Sequence, residues 1–364
     1  MREDVLVSVV IPVYNTEQYL ERTMKCLLNQ TYKNWEAIFI DDGSVDGSGE
    51  LLDKFEALDN RISVIHKVNE GVSIARNVGI DNIKGKKVLF LDSDDIFEKT
   101  LIEKCVRYIE LNQVEAVLYG YADMYNGTVV NVHEFVLEKE KYIGNDTIIQ
   151  QLMPHFLGIS YEDINGWIKN QHGLRYGKEH TAMWRIMCDV ECIKKNAIRF
   201  NKNLSVGEDT MFMNEYLYNC NSIGVLKDTL YYLVAREGSA NNVNNHNVEL
   251  MINNKLKLVE EKNKFAERVK EHKQIDITGF FDGNNVLSTI QIMLMLINSQ
   301  EYKIGEKYEE LKAFYNNQYI KNSILKFKPV KGIKSIPIVL LRHNRILLMV
   351  VCSILPQKIM GKIV

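Results

Sequence analysis

The sequence predicts an α/β fold: a mostly parallel sheet with helices on both of its faces. Three observations predict it. Over roughly the first hundred residues, short β-branched runs alternate with segments of helical period, the signature of repeated strand, crossover helix, strand units. Polar clusters close three of the strand-like runs, at Pro12 to Asn15, Asp41 to Asp46 and Asp92 to Asp95, and parallel sheets bind ligands outside the carboxyl ends of their strands. Finally, 364 residues with 46% hydrophobic content supply enough apolar material to cover such a sheet on both sides.

The first run, Val5 to Ile11, suits a strand buried on both faces, and Pro12 closes it. Asn15, with Gln18 three residues on, reads as a helix cap ahead of Leu20, Met24, Leu27 and Leu28 at helical spacing. Strands follow over Trp35 to Ile40, Ile62 to His66 and Lys87 to Leu91, with helices over Ser48 to Leu58, Val72 to Ile80 and about Lys99 to Leu111. Ala116 to Tyr121 reads as a further strand, and Tyr125-Asn126-Gly127-Thr128 as a hairpin turn, because Asn-Gly accepts the positive φ angles of a two-residue connection. Asp228 to Ala235 is strand-like again. From about Val248 to Ile320 the apolar positions, among them Leu250, Leu256, Val259, Ile290, Met293, Leu294 and Ile297, fall at helical spacing. These readings divide the chain into an α/β domain (1-240), a helical accessory region (241-325) and a basic, apolar tail (326-364).

Composition removes several function classes. A formal net charge of -2 argues against a nucleic-acid binder, which needs a basic excess to neutralise phosphates. The six cysteines form no Cys-x-x-Cys pair, and Cys188 with Cys192 reads as two neighbours on a helix rather than as zinc ligands. Reduced thiols, and an N-terminus that runs from Met1-Arg2-Glu3-Asp4 into a strand without the sections of a signal peptide, point to the cytoplasm. Gly43 to Gly49 is not G-x-G-x-x-G and carries two acids if Asp42 is counted with Asp46, which would repel a pyrophosphate. Gly79 to Lys87 lacks the Ser or Thr of a P-loop and reads as a turn into the next strand.

Val88-Leu89-Phe90-Leu91-Asp92-Ser93-Asp94-Asp95 is the stretch with most chemistry in it: a buried strand ending in three carboxylates within four residues. Like charges packed so closely repel unless a cation sits among them. Mg²⁺ or Mn²⁺ suits a short Asp-x-Asp, since each takes a few carboxylate oxygens and keeps positions open for phosphate. An acidic loop with no ligand remains the plain alternative.

Four motifs in register, Pro12-Val13-Tyr14-Asn15, Asp41-Asp42-Gly43-Ser44-Val45-Asp46, Gly71-Val72-Ser73-Ile74-Ala75-Arg76-Asn77 and Asp92-Ser93-Asp94-Asp95, give residues 5 to 235 a pattern that resembles the family 2 glycosyltransferases of the GT-A nucleotide-diphospho-sugar transferase fold. The resemblance implies that Pro12, Tyr14, Asn15, Asp42, Arg76, Asp92 and Ser93 line a nucleotide-sugar site. Tyr14 would stack on the base, Asp42 accept a hydrogen bond from a ring N–H, Arg76 lie near the diphosphate, Asp92 reach the ribose and Asp94 hold the metal between the phosphates. Side-chain chemistry is consistent with each role. A carboxylate facing an imide N–H favours uracil over a purine, so a UDP-sugar is the expected donor; an aromatic face stacks at little conformational cost, and arginine presents a planar fork to phosphate oxygens. Taken singly, Tyr14 would serve equally as packing and Arg76 as a helix-surface charge.

Further along, Ala182-Met183-Trp184-Arg185 and Val206-Gly207-Glu208-Asp209-Thr210-Met211-Phe212 form a second informative stretch. Gly207 permits a sharp entry to a helix whose first turn carries two acids and whose Met211, Phe212 and Leu217 make a buried side. Read alone this is an acidic helix start. It is similar to the Glu-Asp motif of the same family, which implies that Asp209 is the catalytic base, with Glu208 and Trp184 on the acceptor side. Trp167, His172 and His180 are further acceptor-side candidates, or surface packing. Arg236-Glu237-Gly238-Ser239 resembles a loop after the fold's last strand, so Arg236 and Ser239 would close over the diphosphate and His246 would join the metal.

The reaction implied is a single displacement: a carboxylate removes the acceptor hydroxyl's proton as it attacks the anomeric carbon, which inverts that centre. A nucleotidyltransferase or a sugar-nucleotide-binding module without catalysis are the alternatives, and neither needs Asp209. After Glu310 there are no acids, while Lys321, Lys326, Lys328, Lys331, Lys334, Arg342, Arg345, Lys358 and Lys362 alternate with apolar blocks. The longest block, Ile346 to Leu355, is shorter than the about 20 residues a bilayer span requires. Such a tail describes either a segment lying on an anionic membrane or a buried helix with a charged edge. The first reading places the enzyme on the inner face of the cell membrane and makes a lipid-linked saccharide the expected acceptor, as in capsule or exopolysaccharide synthesis.

Overall fold

The computed structural model describes residues 5–171, 178–235 and 248–348. It forms two compact units, one of Met1–Phe156 with Glu179–Arg236, the other of Leu157–Lys178 with Glu237–Val364.

The first unit is built on strands β1 (Val7–Val13), β2 (Trp35–Asp42), β3 (Ile62–Lys67), β4 (Lys87–Phe90), β5 (Ile96–Phe97), β6 (Ala116–Tyr125), β7 (Thr128–His133), β8 (Lys141–Ile143), β9 (Ile186–Asp189) and β10 (Ser222–Val234). They lie in the order β3-β2-β1-β4-β9-β6-β10-β5, with β7 beside β6 and β8 beside β10. Strands β1 to β4 are mutually parallel, as the alternating pattern predicts. The sheet is nevertheless mixed, because β9 enters antiparallel between β4 and β6. The longer helices of the unit are α1 (Glu17–Leu28), α2 (Ser48–Leu58), α3 (Val72–Asn82), α4 (Leu101–Asn112) and α5 (Glu208–Asn219), with a shorter one over Val190–Lys195. Val7, Val9 and Ile11 share one core with Leu20, Leu27 and Phe39, while Val10, on the opposite face of β1, is also fully buried. Both faces of the central strand are therefore covered, which explains its unbroken β-branched run.

Several local readings hold: Asn126 and Gly127 both take positive φ at the β6–β7 hairpin, and Met211, Phe212 and Leu217 are buried. Two do not. Asn15 does not cap α1; Thr16 occupies that position without a side-chain cap, because the Asn15 amide oxygen is taken by the backbone N–H of Val45 at 2.9 Å. Cys188 lies within β9 and only Cys192 is helical, so the two are not helix neighbours; both are buried free thiols.

The second unit is helical: α6 (Val248–Lys273), α7 (Thr278–Asn298), α8 (Ile304–Tyr315), α9 (Gln318–Lys326) and α10 (Ile336–Arg342), with a shorter helix over Tyr161–Ile168. Val259, Ile290 and Met293 are in its core as their spacing predicts, together with Phe327, Ile338 and Leu341 from the basic tail. Leu250 instead is 41% exposed. α7 is long and apolar enough by length and composition to cross a membrane, yet 67% of that window is buried within the protein.

Candidate active site

Register places three chemically different residues side by side at the carboxyl edge, since Val13 pairs with Asp41 and Asp41 with His66. Short loops then interlock above them. Asn15, at φ 51, donates its N–H to Ser44 Oγ at 3.1 Å, and Ser44 N–H donates to Asp41 Oδ1 at 3.0 Å. Gly43 makes this turn possible: its φ is +73, and a Cβ there would stand 2.7 Å from the backbone nitrogen of Asn69. Pro12 lies half-buried within β1, and Tyr14 is 50% exposed just beyond it.

Asp42 is almost fully buried. Its Oδ1 accepts from Lys67 Nζ at 2.6 Å and Glu70 N–H at 3.0 Å, and its Oδ2 accepts from Gly71 N–H at 2.8 Å. Three of the about four acceptor directions of a carboxylate are thus committed to holding the loop that leads into α3. Asp41 is tied to His66, whose Nδ1 lies 2.9 Å from Asp41 Oδ2 and whose Nε2 lies 2.9 Å from Asp53 Oδ1. These hydrogen bonds, Asp41's first and then Asp53's, raise the imidazole pKa above its usual 6.5. A raised folded-state pKa contributes stability that is complete below the unfolded value and is lost as pH rises through the folded one. Wild type is therefore expected to melt above His66→Gln at about pH 6 and together with it at about pH 9, by no more than the ~1 kcal/mol of an exposed pair. Melting curves across that range check this; a gap that widens with pH would refute it.

The acidic loop after β4 is fastened from two sides. From α1, Thr23 Oγ1 donates to Ser93 O at 2.7 Å, Arg22 donates to Asp94 O, and Thr16 Oγ1 lies 3.0 Å from Ser93 Oγ. Ser93 is consequently buried and acts inside the loop. From β10, the Tyr231 hydroxyl donates to Asp95 Oδ2 at 2.7 Å and accepts from Asp92 N–H at 3.3 Å, while Val234 N–H donates to Asp95 Oδ1 at 2.8 Å. Burial, and then the charges of Asp92 and Asp94, push the Asp95 carboxyl well above the usual range. Asp92 and Asp94 remain half-buried. Among the described residues no three His, Cys, Asp or Glu side chains form a ready cage for a metal. A site supplying one carboxylate and leaving the remaining positions to phosphate oxygens fits what is there, and the accumulated negative charge favours a cation.

Arg76 joins this loop to α5. It is 5% exposed, not a helix-surface charge. Its Nη2 donates to Asp92 Oδ1 at 3.0 Å and its Nη1 to Asp209 Oδ1 at 2.8 Å, with Glu208 Oε1 at 3.6 Å. Burial opposes its charge, but Asp209, Asp92 and Glu208 together outweigh burial and raise its pKa further. Gly207 at φ 86 turns the chain into α5, where the Met183 N–H reaches Asp209 Oδ2 at 3.4 Å. Burial, and then the charge of Asp209, push Glu208 up to about 7. Asp209 is raised by burial first, with Arg76 opposing and Asp92 adding to the shift. A carboxyl whose pKa is raised by burial binds a proton more tightly than an exposed one.

The sequence-level candidates therefore divide. Tyr14, Asp42, Arg76, Asp92, Asp94, Glu208 and Asp209 all lie at or beside one sheet edge. Trp184 is 3% exposed, its indole stacked on Tyr231 at 4.6 Å, so it supports the loop from within. Trp167 is in the core of the helical unit. His180 is exposed, and its Nδ1 accepts from Ala182 N–H at 3.1 Å. Arg236, Ser239, His246 and His172 lie outside the described residues. Tyr231, Thr16, Thr23 and Lys67 are the functional supports that sequence reading missed; each sits in an ordinary helical or strand pattern, and only tertiary pairing shows its role.

Residues 8–164 match the family described as glycosyl transferase family 2. Glycosyltransferase GlyG of Streptococcus pneumoniae is 31% identical over 238 residues, covering 64% of this chain and 72% of GlyG. The putative teichuronic acid biosynthesis glycosyltransferase TuaG of Bacillus subtilis is 38% identical over 120 residues, 33% of this chain and 48% of TuaG. The chain thus spans about half of TuaG, and less than two thirds of other curated relatives that it matches. In fold it is similar to S. aureus TarS 1-349, crystallised in complex with UDP-GlcNAc, with a TM-score of 0.61 at 20% identity over 98% of this chain and 92% of that one.

Proposed function

Since the chain belongs to glycosyl transferase family 2, has the GT-A fold and is a glycosyltransferase, we propose that it transfers a sugar from a UDP-sugar to a saccharide hydroxyl with inversion, Asp209 acting as the base. The observation that carries this reading is the position of Arg76, one guanidinium in contact with Asp92 of the acidic loop and with Asp209 of α5. The acid that would serve the acceptor is thereby fixed beside the acids that would serve the donor. In the reaction the acceptor oxygen bonds to the anomeric carbon, the bond from that carbon to the diphosphate breaks with its electron pair, and the hydroxyl proton passes to Asp209.

Tyr14 would stack on the base, and the remaining acceptor direction of Asp42 suits the imide N–H of uracil. UDP is also the nucleotide named for the TarS complex. Arg76 would share its charge with the diphosphate as the leaving group forms. Asp94 would hold Mn²⁺ or Mg²⁺, which when bound neutralises charge on the departing phosphates. The acceptor is proposed to be a lipid-linked saccharide reached from the cytoplasmic face of a membrane, in cell-surface polysaccharide synthesis. The basic, apolar tail and the likeness to TuaG support that setting.

Thermal stabilisation by nucleoside diphosphates tests the donor site, because a ligand that binds the native state raises the melting temperature by mass action. At 100 times its Kd, UDP with Mn²⁺ is expected to add about 2.7 kcal/mol, and Asp94→Ala is expected to lose the metal-dependent part. If no pyrimidine diphosphate shifts the wild-type melting temperature at any metal concentration, the proposed donor site is wrong.

A further inference from the structure

The tail enters the structure with two apolar faces. In α10, Pro337, Ile338 and Leu341 are buried in the helical core, which accounts for one of them. Ile336 and Val339, 49% and 40% exposed, stand with half-buried Leu340 and exposed His343 at positions i, i+3, i+4 and i+7 of the other. Ile333 before the helix, and Leu347 and Leu348 after it, are 54%, 57% and 50% exposed. Single exposed apolar residues are ordinary, but here five large ones fall within sixteen residues of sequence. Lys328, Lys331, Lys334, Arg342 and Arg345 are interspersed among them or flank them, and the stretch holds no acid.

We propose that the exposed face of residues 333–348 is a docking surface for an anionic lipid bilayer, with Ile336 and Val339 entering the interface and the basic side chains meeting lipid phosphates. Apolar area flanked by positive charge without compensating acids is the composition that binds at such an interface. Lys334 is partly committed, since its Nζ donates to Asn170 Oδ1 at 2.7 Å; Lys328, Lys331 and Arg345 are exposed at the surface. A second copy of the chain fits less well, because a two-fold interface would set this basic stretch against its own equivalent. The inference deepens the proposed membrane setting: the inward face of α10 is part of the fold, and only its outward face is left for lipid.

The test is co-sedimentation of the full chain with vesicles of phosphatidylcholine alone or mixed with phosphatidylglycerol, compared with the double variant Ile336→Asp, Val339→Asp. Both positions face solvent, so the variant should keep the wild-type melting temperature and its UDP-induced shift. Wild type is expected to bind the anionic vesicles, to bind neutral ones less and to be released by salt, with variant binding lower by about tenfold or more. Absence of wild-type binding overturns the inference. Equal binding by the variant also overturns it, because lipid contact then lies elsewhere in the chain. Concentration-dependent association of wild type in solution that the variant loses would assign the surface to a second copy. None of these results depends on UDP binding, so a failed donor-site reading and a failed membrane surface are told apart.

Discussion

Asp209→Asn is expected to lower sugar transfer by about 10²–10⁴-fold, the range that a positioned general base contributes, while UDP-dependent thermal stabilisation stays at the wild-type level. The amide keeps the shape of the carboxylate and an oxygen that can still accept from Met183 N–H, the contact now made at 3.4 Å. Arg76 keeps Asp92 and Glu208 as charged partners, so the fold survives and the missing function is proton removal. The pH profile adds a second reading. Burial raises both carboxyls, with the charge of Asp209 adding at Glu208 and that of Asp92 adding at Asp209, so wild-type kcat/KM should climb with pH until Asp209 has lost its proton. Radiolabelled product analysis from about pH 5 to pH 8.5 gives both results. Transfer by Asp209→Asn at the wild-type rate would remove Asp209 from the mechanism.

Arg76→Met should have the largest effect on stability. The side chain is nearly isosteric in its stem, but its loss leaves Asp92, Glu208 and Asp209 facing one another with no cation between them. Removing one partner of a buried ion pair costs about 3–5 kcal/mol, chiefly because uncompensated charge stays behind. Without the guanidinium, which now lowers the pKa of both Glu208 and Asp209, these carboxyls would titrate higher still. A carboxyl whose folded pKa exceeds its unfolded value favours the folded state on the acid side. The deficit of the variant should accordingly be largest near pH 8 and shrink towards about pH 5 as the acids protonate. Urea unfolding at the two pH values measures it. Arg76→Lys should recover only part of the loss, since an ammonium cannot present two nitrogens to Asp92 and Asp209 as the planar fork does. A deficit independent of pH would mean that Arg76 acts by packing alone.

Much of the site was legible because its residues follow strand ends. An apolar run that stops at Asp92-Ser93-Asp94-Asp95 can be read without coordinates, and so can the loops at Tyr14 and Asp42, since in a parallel sheet all the carboxyl ends share one edge. Asp209 was legible as an acid in a first helical turn after a glycine. Asn15 was misread because a local rule, the capping box, competed with a nonlocal bond to Val45 that sequence spacing does not encode. Trp184 likewise carries no mark in sequence of the Tyr231 ring it stacks on.

The sequence by itself determined the alternation of the first four strands with their helices, the edge at which polar chemistry collects and the family to which the chain belongs, because hydrophobic period and turn residues are local properties. Only the tertiary structure decided that Arg76 is buried among three carboxylates 16 to 133 residues away along the chain, that Tyr231 fixes the acidic loop, and that α10 has one apolar face inside and one outside. Those are consequences of where desolvated charges and side chains meet in space, and distance along the chain says nothing about that.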